Sequence, residues 1–122
     1  MNTEPLKSIP PAKGLRAGAL LVSCVLNLAG ALLVVFALPG TAGDDRIAAA
    51  WALVQFISGV WAGVLGANSP FLHGLVAGVP ALLLGLAMGD RLPAQYVAVS
   101  WFLAPSAALL AAGLMRFMRR RT

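Results

Sequence analysis

Of 122 residues, 60% are hydrophobic and only 11% are charged, whereas a soluble domain is about half apolar and about a quarter charged. A water-soluble fold of this length could not hide so much apolar surface, so the composition excludes one and makes the lipid bilayer the expected solvent. The formal net charge of +5 does not point to nucleic acid: most basic residues sit at the two termini, where they set topology and meet anionic lipid headgroups.

Residues 1–13 read as a polar N-terminal tail, with Pro5, Pro10 and Pro11 against regular structure. A transmembrane domain is expected over 14–115, with spans at about 15–38, 47–65, 70–88 and 94–115, followed by a basic tail over 116–122. The first run, Leu15 to Leu38, has one charge, at its start. A helix rising about 1.5 Å per residue needs about 20 apolar residues to cross the hydrocarbon. The run is too long for a signal-peptide core of about 7–15 residues, so an uncleaved helix is expected. Pro39 and Gly40 end it. Ser23, Asn27, Gly30 and Ala31 share one face that should turn from lipid, with Asn27 hydrogen-bonding to a neighbouring helix. Cys24 is the single cysteine, which excludes an internal disulfide and a cysteine zinc site; it reads as a small buried hydrophobe.

Asp44 or Asp45 should cap the second helix. Two carboxylates are too few oxygen ligands for calcium. Trp51 and Trp61, near opposite ends of the second span, fit aromatic belts at the two interfaces. Gly66 to Ser69 makes a turn, and Ser69-Pro70 is a good helix start, hydroxyl at the N-cap and ring at the first helical position. Pro80 should bend the third span and Pro105 the fourth. In the fourth span Ser100, Ala104, Ala107 and Ala111 share a face, and Arg116, Arg119, Arg120 and Arg121 follow it. Short connections make sequential spans antiparallel neighbours.

The central hairpin, Gln55 to Gly89, carries two stripes of small residues. At about 100° per residue, Gln55, Ser58, Gly59, Ala62 and Gly66 share one face of the second span, with Gly63 beside them. Gly74, Gly78, Ala81, Gly85 and Gly89 share one face of the third. Such stripes let helix backbones approach closely, and here they are expected to meet each other.

The end holding both termini and the Asn68 turn has seven Lys and Arg, against two, Arg46 and Arg91, at the other. The positive-inside bias therefore predicts both termini in the cytoplasm.

No Asp, Glu, Lys or Arg lies deep in a span. That argues against a proton-coupled antiporter, which would carry a buried carboxylate as small multidrug resistance proteins do. The neutral polar residues within spans are Asn27, Gln55, Ser58 and Ser100. His73 is the only histidine. It reads as an interfacial side chain hydrogen-bonding across the hairpin turn; a pH gate or a metal ligand is the functional alternative, and metal binding lacks partner ligands nearby in sequence. Ser23, Ser58, Ser69, Ser100 and Ser106 share that one histidine, and the glycines fall at helical spacing rather than in a phosphate-cradling loop. No catalytic residue, cofactor or metal site is expected, and no enzyme.

Gly59, Ala62-Gly63, the Asn68-Ser69-Pro70 turn, His73-Gly74 and Gly78 together resemble the central hairpin of the small four-helix YrzE-like bacterial membrane proteins. The resemblance implies a bacterial plasma membrane location and no activity. The expected protein is all-α, a polytopic membrane bundle of four transmembrane helices with both termini inside. Its expected role is non-catalytic, through helix–helix association with itself or as an accessory subunit of a larger membrane complex. The alternative is a small oligomeric transporter or channel for a neutral or weakly polar solute.

Overall fold

The structure is a computed structural model that describes residues 16–37, 44–87 and 93–121. Among these residues there are six helical segments and no strand: α1 (Ala17–Ala37), α2 (Asp44–Leu65), α3 (Pro70–Ala77), α4 (Val79–Ala87), α5 (Ala94–Trp101) and α6 (Leu103–Arg121). α3 and α4 form one interrupted column, as do α5 and α6. Four stretches are long and apolar enough to cross a membrane: Ala17–Ala37, Arg46–Leu65, Pro70–Ala87 and Ala94–Arg120. Arg16, Leu65, Asn68 and Arg116 gather at one end of the bundle, so the columns alternate in direction.

The surface inverts that of a soluble protein. Large apolar side chains such as Leu21, Leu33, Val99, Leu110 and Phe36 (81% exposed) face outward, while Ser23, Asn27, Gln55, Ser58, His73 and Ser100 are buried. In water this arrangement would forfeit the hydrophobic effect twice, by exposing the apolar groups and desolvating the polar ones.

The tightest packing joins α2 to α6, which run parallel. A Cβ placed on Gly59 would lie 2.2 Å from the Ala104 carbonyl oxygen, and one on Gly63 2.3 Å from that of Ala108. The two glycines are one helical turn apart, and so are the two alanines, so the backbones touch over two successive turns. Gly74 of α3 reaches the same place from the other side: its Cβ would lie 2.4 Å from the Pro105 Cα. The small stripes of the second and third spans therefore do not chiefly close on each other. Ala104, Ala107, Ala108 and Ala112 on α6 are as small and are buried, and both stripes converge on that strip. Ala111, expected on this face, is only half-buried.

The two prolines act upstream of themselves. A proline ring clashes with the carbonyl four residues earlier and supplies no N–H to it. The third column accordingly breaks at Gly78, two residues before Pro80, and the fourth at Phe102, three before Pro105. The last helix does not end near Met115 but runs to Arg121. Its closing residues are good helix formers, and arginines at a helix C-terminus suit the dipole.

At the other end of the bundle, Ala31, Val34, Ile47, Trp51, Ala81 and Val97 form an apolar core. Trp51 is 0% exposed and does not belong to an interfacial belt. Gly85 makes room for it: a Cβ there would sit 3.0 Å from the indole Cζ2 and 2.7 Å from Val97 Cγ1. Its indole N–H finds no hydrogen-bond acceptor among the described residues, so among them it is packing that holds the ring. Trp61, 46% exposed, does lie on the outer surface. The side chains of Asp44 and Asp45 and the position of Gly89 lie outside the described residues.

Candidate functional site

Three of the four neutral polar residues expected within the spans, Asn27, Gln55 and Ser58, meet at the break in the third column. Asn27 of α1 stands at the centre and is 0% exposed. Its Nδ2 donates to Gln55 Oε1 at 3.1 Å and to Ser58 Oγ at 2.8 Å. Its Oδ1 accepts the Ala81 backbone N–H at 2.7 Å. Gln55 Nε2 then donates to the Gly78 carbonyl at 3.3 Å. The Ser58 hydroxyl returns to its own helix, with the Val54 carbonyl at 2.8 Å.

Two further side chains serve the same break. Pro80 cannot donate to the Val76 carbonyl, and the Cys24 thiol lies 3.6 Å from that oxygen as a weak donor. Trp101 Nε1 donates to the Leu75 carbonyl at 2.8 Å. The backbone groups of Leu75, Val76, Gly78 and Ala81 are thus engaged by side chains from the other three columns. Interrupted helices survive in an apolar solvent only when neighbours satisfy the backbone this way. Gly78 is needed for a second reason. A Cβ there would lie 2.7 Å from Gln55 Oε1 and 2.8 Å from Trp101 Cδ1, closing the gap through which Gln55 reaches the carbonyl.

Ser100 stays apart, with its hydroxyl donating to the Val97 carbonyl of its own helix at 2.9 Å. Ser23 does the same to Ala19 at 2.7 Å. Such back-bonds satisfy a hydroxyl without linking helices.

His73 forms a second centre near the Asn68 turn. It is 0% exposed. Nδ1 lies 2.8 Å from the Ser69 carbonyl, and Nε2 accepts the Arg16 backbone N–H at 2.9 Å. Those partners require the neutral ring protonated on Nδ1. The Ser69 carbonyl lies four positions back, at the N-cap of the helix that carries His73; the bond to Arg16 reaches 57 positions along the chain and serves an N–H that the start of α1 leaves without a helical partner. The ring rests on Gly66, where a Cβ would be 2.2 Å from Cγ. Ser69 occupies the N-cap of α3 with Pro70 next, but its hydroxyl makes no capping bond.

The packing residues are placed as follows. Gly59 and Gly63 meet α6, Gly74 meets Pro105, Gly66 meets His73, Gly78 meets Gln55 and Trp101, and Gly85 meets Val97 and Trp51. Ala62 and Ala81 are fully buried. Among the described residues no group of three or more His, Cys, Asp or Glu could hold a metal ion.

Compared with models of protein families, with curated proteins and with solved structures, the chain matches none. Its chemistry is therefore read from the geometry. In the Asn27 centre every side-chain amide group has a protein partner, and the centre holds no acid, base or nucleophile in an unengaged state. What it does is join α1, α2 and the α3–α4 break. From the sequence, Pro80 alone pointed to a disturbance of the third span. The roles of Cys24 and Trp101 carried no signal of their own, because an apolar run with a thiol or an indole looks the same wherever it packs.

Proposed function

We propose that this chain is an integral membrane protein of four spans in a bacterial plasma membrane, both termini cytoplasmic, that works without catalysis by associating with itself or as an accessory subunit of a larger membrane complex. The observation that carries this reading is the saturated polar centre. Asn27, Gln55 and Ser58 spend their hydrogen bonds on each other and on the Gly78 and Ala81 backbone, so the interior serves the fold. The apolar exterior is what the molecule offers to others. The resemblance of the central hairpin to YrzE-like proteins supports the location.

The experiment is purification of the tagged full chain in mild detergent after in-membrane crosslinking, with its crosslinked species identified by mass spectrometry. A discrete homo-oligomer or a stoichiometric membrane subunit is the expected result. A strictly monomeric chain with no crosslinked species would refute the reading.

The second reading, a small oligomeric transporter or channel for a neutral solute, is favoured by the interrupted third and fourth columns, since broken helices line binding sites in many transporters. Solute flux in liposomes containing the protein would establish it.

A further inference from the structure

The breaks in the third and fourth columns lie side by side. A Cβ on Gly78 would sit 2.8 Å from Trp101 Cδ1 and 3.1 Å from Ala104 Cβ, and Trp101 directly precedes the break at Phe102. Each column loses one backbone bond there, because Pro80 and Pro105 offer no N–H to the carbonyls four residues earlier. A line through Gly78 and Phe102 therefore separates α3 and α6 from α4 and α5. Side chains pin that line: Gln55 Nε2 donates to the Gly78 carbonyl, and Trp101 Nε1 to the Leu75 carbonyl.

Packing differs in kind on its two sides. Towards the Asn68 turn, the atoms that crowd Gly59, Gly63 and Gly74 are backbone atoms of α6, which cannot part unless whole helices move. On the far side, the atoms nearest Gly85 belong to the side chains of Val97 and Trp51. The contact between Gly85 and Val97 joins α4 to α5, so it travels with the pair. Against α1 and α2 the pair rests on the apolar side chains of Ala31, Val34, Ile47 and Trp51. It is tied there by the Ala81 N–H to Asn27 Oδ1 at 2.7 Å and by the Tyr96 hydroxyl to the Ala48 carbonyl. Apolar contacts of this sort have no preferred direction, so they yield to a sliding motion that a backbone-to-backbone seam resists.

We propose that α4 and α5 form one hinged flap, turning about Gly78 and Phe102 against α1 and α2 while α3 and α6 stay locked to α2. Hinges are a few residues at the ends of elements that absorb the change in φ and ψ, and Gly78 and Phe102 are the residues at which α3 and α5 end. Opening draws Ala81 away from Asn27 Oδ1 and uncovers Trp51. The polar centre is then reached from the end of the bundle opposite the Asn68 turn. This goes beyond the association reading and holds equally for a transporter.

The test uses the full chain with Cys24→Ser, which keeps a donor for the Val76 carbonyl. Spin labels are placed in pairs at exposed positions: L33C with Q95C, which spans the flap, and L21C with L110C, which spans the locked half. Pulsed electron–electron resonance on frozen nanodisc samples reads the populations of slow domain motions directly. One distance is expected for L21C/L110C, and a second, longer distance for L33C/Q95C. Tyr96→Phe removes one hydrogen bond, so the ratio of the longer distance to the shorter should rise about fivefold. Pro80→Ala returns an N–H to the Val76 carbonyl and should lower that ratio. The L21C/L110C distance should stay constant in both variants. A longer distance in both pairs would mean that the whole bundle loosens, and would overturn the hinge. A single distance in both pairs, in the parent chain and in Y96F alike, would overturn it as well.

Discussion

Adding one methyl group to this chain should stabilise or destabilise it according to where the methyl is placed. At Gly59 a Cβ would come within 2.2 Å of the Ala104 carbonyl oxygen and 2.7 Å of its Cα. Those are backbone atoms of α6, and no rotamer change can move them. Relief requires α2 and α6 to separate by about 1 Å or more to restore an ordinary contact of about 3.5–4.0 Å. Separation also loosens the neighbouring Gly63–Ala108 contact. Overpacking of this kind costs about 1–3 kcal/mol. Against it stands a gain of up to about 1 kcal/mol from replacing a helical glycine by alanine. G59A should therefore lose about 1–2 kcal/mol net. Gly18 and Gly113 lie in helices with nothing within 4 Å of the same Cβ, so G18A and G113A should be neutral or gain up to about 1 kcal/mol. G59L should be worse than G59A, whereas Leu83→Ile, on the exposed outer face, should be silent. The assay is reversible unfolding in a fixed detergent, or thermal melting where unfolding is irreversible. Equal stabilities for G59A and G113A would refute the close α2–α6 approach.

Asn27→Leu removes one acceptor and two donors at the helix break, stranding the Ala81 N–H; the expected loss is about 1–3 kcal/mol in the same unfolding assay, with an unchanged stability pointing to a pore-lining role instead. His73→Ala leaves the Arg16 N–H without its acceptor and empties the space above Gly66, so amide exchange of residues 16–19 should quicken, with a stability loss of about 1–3 kcal/mol; unchanged exchange would remove His73 as the anchor of α1. A reporter active only in the cytoplasm, fused after Thr122, should give signal, and silence from an inserted protein would reverse the proposed orientation.

The spans and the inward-facing polar residues were legible in the sequence because each depends on local chemistry. A buried amide in an apolar run has to find partners, so Asn27, Gln55 and Ser58 could be assigned to the interior before their bonds were known. Partner choice was less legible. A glycine stripe states that some backbone comes close and does not say which, and the alanines of α6 made as smooth a counterpart as the small residues of the third column. Trp51 illustrates a different ambiguity. An indole at the end of an apolar run suits an interfacial belt and a core equally well, and the choice depended on Gly85 opening a space opposite it. The link from His73 to Arg16 and the gathering of Arg16, Arg116 and Arg119 join positions far apart along the chain, where no periodicity reaches.

The parallel contact between α2 and α6 has a consequence for the order of assembly. Gly59, Gly63 and Gly74 acquire their neighbours only when Ala104, Pro105 and Ala108 arrive, after the first three columns have been made. Until then the nascent chain holds two grooved, glycine-lined helices with their closest counterpart missing, a state open to wrong pairing or to proteolysis. A polypeptide ending before Ala104 should therefore persist poorly in cells even though its first three columns are complete, and supplying the missing helix as a separate fragment should rescue it.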